Sequence, residues 1–273
     1  MNRLDGKVCV VTGGTQGLGA AIAHRLAEAG AAGLVTCGRN EAKGGRVADA
    51  ITGRTGAPVR FVRCDLESVD DCREVIAAAD RHFGRVDVLV NAAGLTDRGD
   101  ILSTDPALFD RMFAVNVRAP FFLMQDAIRL MIRDSREGSI VNIGSTSERA
   151  GQPFIAPYCA SKGALATLTR NTAFAVMRNR IRVNQLDIGW MSSENEDRVQ
   201  RDQMGGGDDW LARASASQPF GRLVEPEEVA RAVAFLASDD SGLMTGAVIQ
   251  FDQSVWGAYA ASPPVPDAPL RLG

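Results

Sequence analysis

Lys7-Val-Cys-Val-Val-Thr12-Gly13-Gly14-Thr15-Gln16-Gly17-Leu18-Gly19 is the stretch that decides how this chain is built. Its first half is an unbroken apolar run, the mark of a strand buried on both faces. Its second half is a glycine turn that opens a helical repeat from Leu18 to Ala29, closed by Gly30. Glycines there let the backbone approach a pyrophosphate, whose charge the unpaired N–H groups and dipole of the helix can meet. A glycine-rich turn alone is a weak sign. Its place after an N-terminal strand and its GxxxGxG spacing make it far more specific.

The same alternation continues along the chain. Leu34 to Cys37 reads as a second strand, Glu41 to Thr52 as a polar helix and Val59 to Cys64 as a third strand. Ser68 suits the cap of a helix running to Phe83, and Val86 to Val90 is a fourth strand. A long helix is expected from Pro106 to Arg133, bent by Pro120. Ser139 to Ile143 is a fifth strand; the helix holding Tyr158 runs to about Arg178, and Ile181 to Gln185 is a sixth strand. Pro226 to Ala237 is a helix before a last strand, Ala247 to Phe251. Strands joined by crossover helices over the whole length specify an α/β fold: one doubly wound parallel sheet of about seven strands, with helices on both faces. Residues 1–256 are expected to form this single domain. Within it, 190–218 is polar, is centred on Gly205-Gly206-Gly207 and suits a lid over a substrate site. Residues 257–273 form a proline-rich tail that cannot be core.

Composition narrows the function. The net charge of −3 is spread without a basic run, which argues against nucleic acid or an anionic membrane as partner. No apolar stretch approaches the roughly 20 residues of a membrane span, so a soluble, cytoplasmic protein is expected. Five cysteines without a CxxC pair indicate neither a disulfide framework nor a zinc site, and the two histidines, His24 and His82, both fall in helical patterns. No metal and no Ser-His-Asp triad is expected.

A second stretch carries chemistry. In Tyr158-Cys159-Ala160-Ser161-Lys162 the phenol and the ammonium fall one helical turn apart on one face, with Ser145 thirteen residues earlier. A nearby cation favours phenolate, and Pro157 at the helix start sets Tyr158 near the positive end of the dipole. Both effects are expected to make Tyr158 a better base than a free phenol.

Together these residues resemble the short-chain dehydrogenase/reductase family, from about Leu4 to Asp252. The family's glycine turn is matched by Thr12, Gly13, Gly17 and Gly19, its acidic residue after the third strand by Asp65, and its Asn-Asn-Ala-Gly motif by Asn91-Ala92-Ala93-Gly94. The resemblance implies a Rossmann-like fold and a hydride transfer between nicotinamide and a carbonyl or secondary alcohol. Its four catalytic positions fall on Asn116, Ser145, Tyr158 and Lys162. Tyr158 would be the acid or base, Lys162 would lower its pKa and hold the nicotinamide ribose, and Ser145 would donate to the substrate oxygen. Asn116 would kink its helix around a water linking Lys162 to solvent.

The resemblance places the coenzyme against Gly13, Thr15, Gln16, Gly17, Leu18, Gly19, Arg39, Asn40, Asp65, Leu66, Asn91, Ala92, Ala93, Gly94, Tyr158, Lys162, Gly189, Met191 and Ser193. The second strand ends in Cys37-Gly38-Arg39-Asn40, with an arginine where a carboxylate would select NAD(H). NADP(H) is therefore favoured, with NAD(H) the alternative, although Gln16 adds no second basic group. Two departures stand out: Ile188-Gly189 where the family commonly has Pro-Gly, and Asp252-Gln253-Ser254 near the C-terminus. The first is expected to keep its backbone donors for the coenzyme.

Loops 95–99, 146–154 and the lid should supply Thr96, Asp97, Arg98, Glu148, Arg149, Gln152, Trp190, Glu194 and Asn195. So polar a lining suits a small polyol, sugar or hydroxy acid. A coenzyme-binding sensor or scaffold without turnover is the alternative function, opposed by the intact Ser145, Tyr158 and Lys162; an epimerase or dehydratase of an extended relative fits the glycine spacing less well. Members of the family commonly pair through the two long helices, so a homodimer or homotetramer is expected, with Trp256 and Tyr259 candidates for the interface.

Overall fold

The structure, a computed structural model, describes residues 3–149, 151–202 and 204–258. Tyr259 and most of the proline-rich tail lie outside the described residues. Seven parallel strands form one sheet in the order β3-β2-β1-β4-β5-β6-β7. They are β1 Val8–Thr12, β2 Gly33–Gly38, β3 Val59–Arg63, β4 Val88–Asn91, β5 Gly138–Ser145, β6 Ile181–Ile188 and β7 Val248–Phe251. All five residues of β1 are buried, as a central strand covered on both faces requires.

Helices close both faces. On one, α1 (Gly17–Glu28), α2 (Glu41–Thr55) and α9 (Pro226–Ala237) pack Ile22, Leu26, Ile51 and Val233 against Val11 and Val90. On the other, α3 (Val69–Phe83), α5 (Ala119–Arg133) and α6 (Ala156–Val176) bury Val75, Leu123, Met131 and Ala173 against Val10 and Leu89. Strand order reverses between β1 and β4, so the loops after those two strands diverge and leave a crevice at the carboxyl edge of the sheet.

Four segments differ from the sequence reading. The helix expected from Pro106 to Arg133 is α4 (Pro106–Phe113), one wide turn over Ala114–Arg118, and then α5. Pro120 has no N–H to donate to the carbonyl of Asn116, and the irregularity is taken up before it, where Ala119 N donates to Ala114 O five residues back. β5 and β6 run further than expected, to Ser145 and Ile188. Gly144 and Asp187 are poor strand formers, but their pairing across the sheet carries both strands to the cleft. The expected polar lid is two short helices, α7 (Glu194–Asp202) and α8 (Trp210–Ala216), held by a small core of Trp210, Ala214 and Leu223.

Candidate active site

A cleft of about 1360 Å³ runs along the carboxyl edge of the sheet. At one end is the glycine turn. Thr12 Oγ1 accepts from the backbone N–H groups of Ala92 (3.0 Å) and Ala93 (3.1 Å), which ties the turn after β1 to the turn after β4. Gly13 has φ +72°, and a Cβ on Gly19 would stand 2.2 Å from Gly13 O, so the helix start packs directly on the turn's backbone. Asn40, Ser68 and Asp105 cap α2, α3 and α4 through their side chains, whereas no side chain caps α1. Its first-turn residues Gly17, Leu18 and Gly19 line the cleft. An uncapped helix start on a glycine turn fits a pyrophosphate.

Beyond the turn the wall holds Thr15, Gln16, Arg39, Asn40, Asp65, Leu66, Ala92, Ala93 and Gly94, all named above for the coenzyme. Arg39 is exposed at the end of β2. The first turn of α2 adds Lys43, whose Nζ donates to Gln16 Oε1 at 2.8 Å. The sequence reading found no second basic group here. Its signal was the cap itself: Asn40 caps α2 by accepting from Lys43 N, which fixes Lys43 in the first turn facing Gln16. Asn91 lies behind the wall, 2% exposed, with Nδ2 donating to Asn142 Oδ1 at 2.8 Å.

At the cleft's centre, β5 ends on Ser145 and α6 begins with Tyr158 and Lys162 in its first two turns. Ser145 Oγ lies 3.0 Å from Ser147 Oγ, and Ser147 Oγ in turn donates to Gln152 Oε1. Lys162, 4% exposed, stands with Nζ 5.6 Å from the centre of the Tyr158 ring and donates to Ile143 O at 2.8 Å. Burial pulls its pKa down to about 8. Burial also pushes the Tyr158 phenol up to about 12, against the easing effect of Ser145. This corrects the expectation of a lowered phenol: removal from water outweighs the neighbouring cation, which is turned to a carbonyl.

Asn116 lies behind this group in the wide helical turn, 1% exposed. Its amide clamps Leu95 from both sides, accepting from Leu95 N at 2.8 Å and donating to Leu95 O at 2.9 Å, and it also donates to Ser161 Oγ at 3.0 Å. The clamp fixes the loop that follows Gly94.

The other end of the cleft is lined by Thr96, Asp97, Arg98, Gln152, Trp190 and Asn195, residues named above for the substrate, together with Phe154. Glu148, Arg149 and Glu194 do not line it. Glu148 and Arg149 pair at 3.6 Å, and the Arg149 guanidinium lies 5.9 Å from the Trp256 ring. The lid's acidic contribution is Glu196, whose Oε1 accepts from Trp190 Nε1 (2.9 Å) and Gln200 Nε2 (2.8 Å) and stands 3.7 Å from Arg98 Nη2. The residue was missed because the register of a short lid helix is not visible in a uniformly polar run. Met191 and Ser193 line the cleft. Gly189 also lines it, but its N–H is donated to Phe251 O at 3.0 Å, so β7 takes the donor that the sequence reading left for the coenzyme. The Asp252-Gln253-Ser254 segment braces the lid's far end: Gln253 accepts from Phe220 N at 2.8 Å and donates to Arg222 O at 2.6 Å.

The family model described as Enoyl-(Acyl carrier protein) reductase matches residues 13–254. The chain belongs to the short-chain dehydrogenase/reductase family. It is similar to 2-(S)-hydroxypropyl-CoM dehydrogenase 3 of Xanthobacter autotrophicus, 35% identical over 92% of this chain and 97% of that one. It is 30% identical to galactitol 2-dehydrogenase of Agrobacterium fabrum, over 93% and 99%. Among solved structures, a putative NAD(P) dependent gluconate 5-dehydrogenase from Beutenbergia cavernae, with NADP bound at low occupancy, superposes with a TM-score of 0.83 at 32% identity, covering 92% of this chain and 97% of that one. This family member is a nicotinamide-dependent oxidoreductase acting on small molecules, passing hydride between the coenzyme and a carbonyl or secondary alcohol carbon. Among the described residues, no helix is long and apolar enough to cross a membrane.

Proposed function

We propose that this oxidoreductase interconverts a secondary alcohol and a ketone on a polar substrate of the polyol, sugar or hydroxy-acid class, preferring NADP(H) to NAD(H). The observation that carries the reading is the convergence of Ser145, Tyr158 and Lys162 on one cleft that begins at an uncapped, glycine-lined helix start. In reduction, Tyr158 Oη gives its proton to the substrate oxygen while Ser145 Oγ donates a hydrogen bond to the same oxygen as charge develops there. In oxidation Tyr158, as the phenolate, takes the proton back from the substrate hydroxyl, and Ser145 Oγ holds the same oxygen. Lys162 sets the electrostatics of the phenol and would hold the coenzyme's ribose; Asn116 fixes the loop that walls the site. The coenzyme, held by Gly13 to Gly19, Asp65, Leu66 and Ala92 to Gly94, supplies or accepts the hydride.

Preference for NADP(H) is supported by the two cations Arg39 and Lys43 beside the glycine turn, where a 2′-phosphate would need them, and by the absence of a carboxylate at the end of β2. A polar substrate is supported by Thr96, Asp97, Arg98, Gln152, Asn195 and Glu196, since lining so rich in hydrogen-bonding groups disfavours an apolar ligand. The hydroxylated substrates named for the relatives point the same way. Residues 190–218 act as the lid, braced on Arg98 through Glu196. Phe109, Phe121 and Phe174 are exposed on α4, α5 and α6, which supports a dimer or tetramer through these helices. Five free cysteines suit a reducing, cytoplasmic setting.

The test follows nicotinamide absorbance while polyols, sugars, hydroxy acids and simple ketones are offered with NADP(H) and with NAD(H). Turnover by the parent that is lost in Tyr158→Phe, with coenzyme still bound, supports the reading. Turnover that survives Tyr158→Phe removes Tyr158 from the chemistry, and turnover confined to apolar ketones removes the polar substrate.

A further inference from the structure

Behind the catalytic group lies a charge that the reaction so far leaves unused. Asp187, seventh of the eight residues of β6, is fully buried. It stands in register with Gly144 on β5 and Gln250 on β7. Its Oδ1 accepts from Gln185 Nε2 at 2.7 Å, while Oδ2 is buried with no hydrogen-bond donor among the described residues. A Cβ on Gly144 would fall 1.9 Å from Oδ1, so the carboxylate fills the place of a side chain between Ile143, whose carbonyl holds Lys162, and Ser145. A buried carboxylate is costly unless hydrogen bonds or an opposite charge compensate it. One hydrogen bond does not.

We propose that Asp187 is an electrostatic positioning residue, the buried counter-charge of the Lys162 ammonium, and that it acts on the reaction through the Tyr158–Lys162 pair. The charged groups around it are Lys162 and Tyr158 on α6 and Glu148 and Arg149 on the turn after β5; Gln185 on its own strand and Gln250 on β7 are uncharged. Arg98 and Cys159 also act on the phenol. Asp187 works against burial at Lys162 and with burial at Tyr158, so it tightens the hold of both on their protons. A negative charge makes a proton harder to lose at either group, so its effect has one sign whichever of the two ionises first.

The inference rests on the Tyr158–Lys162 reading above, but its test does not need turnover. The chain has two tyrosines, so in a Tyr259→Phe background Tyr158 is the sole phenol and its ionisation can be followed by phenolate absorbance. Asp187→Asn, which keeps the shape, is expected to lower the Tyr158 midpoint by about one pH unit or more, and to move the pH profile of kcat/KM to lower pH in the same sense. A midpoint unchanged from the parent overturns the proposal, whatever happens to Tm, since a merely structural carboxylate would alter stability alone. If the asparagine variant does not fold, the reciprocal measurement uses Lys162→Met: loss of the cation must raise the pH at which the Asp187 carboxyl titrates by carbon NMR, and an unmoved carboxyl overturns the proposal equally. Absence of turnover in the parent would count against the oxidoreductase reading of the site and leave these titrations standing.

Discussion

Lys43 Nζ lies 2.8 Å from Gln16 Oε1, so α2 leans a cation onto the glycine turn that also borders Arg39. A hydrogen bond to a charged group contributes roughly 1.5–3 kcal/mol, which corresponds to about 10- to 150-fold in binding. Arg39→Ala and Lys43→Ala are each expected to lower kcat/KM for NADP(H) by a factor in that range while leaving NAD(H) within about twofold. Equal losses with both coenzymes would show that the two cations do not read the 2′-phosphate.

In the proposed reaction Ser145 stabilises charge on the reacting oxygen. Loss of a single such donor costs about 10²–10³ in kcat. Ser145→Ala is expected to fall by that factor with coenzyme affinity unchanged, measured by fluorescence titration. A variant that turns over normally would take Ser145 out of the mechanism.

Asn116 shows why a polar residue buried in a helix can be indispensable without touching substrate. Asn116→Ala takes the partner from the half-buried Leu95 N–H and C=O, a loss at the low end of about 1–3 kcal/mol for each group. The variant should unfold at lower denaturant with an unchanged m-value and bind coenzyme less well, because Leu95 adjoins Gly94 on the coenzyme wall. Parent-like stability would mean that the clamp is replaceable by solvent.

The sheet was legible because β1, β2 and β4 are short and predominantly apolar, the pattern of strands buried on both faces. Tyr158 and Lys162 were legible because a four-residue spacing on a helix fixes a shared face. The ends of β5 and β6 were not, since Gly144 and Asp187 become strand only through pairing across the sheet. Nor was the raised phenol of Tyr158: spacing gives the neighbour but not the depth of burial, and depth decides the sign. Gly189 illustrates a third kind of limit. A backbone donor looks free in sequence until a distant strand, here β7 through Phe251, claims it.

Asp187 should leave a mark on stability as well as on the active site. Its carboxyl carries a pKa of about 6 in the folded chain against 3.8 ordinarily, raised first by burial. Between those two values the folded state holds a proton that the unfolded state has lost, so stability falls as pH rises through this window and the cost is complete above pH 6. A difference of about two pH units corresponds to roughly 3 kcal/mol for this fully buried group. Asp187→Asn removes the titration. Denaturant midpoints should therefore favour the asparagine variant at pH 7.5, and its advantage should shrink steadily toward pH 4. A difference between the two proteins that stays constant across that range would mean that Asp187 is ionised at the same pH folded and unfolded, and that its burial has been offset by partners other than Gln185 and Lys162.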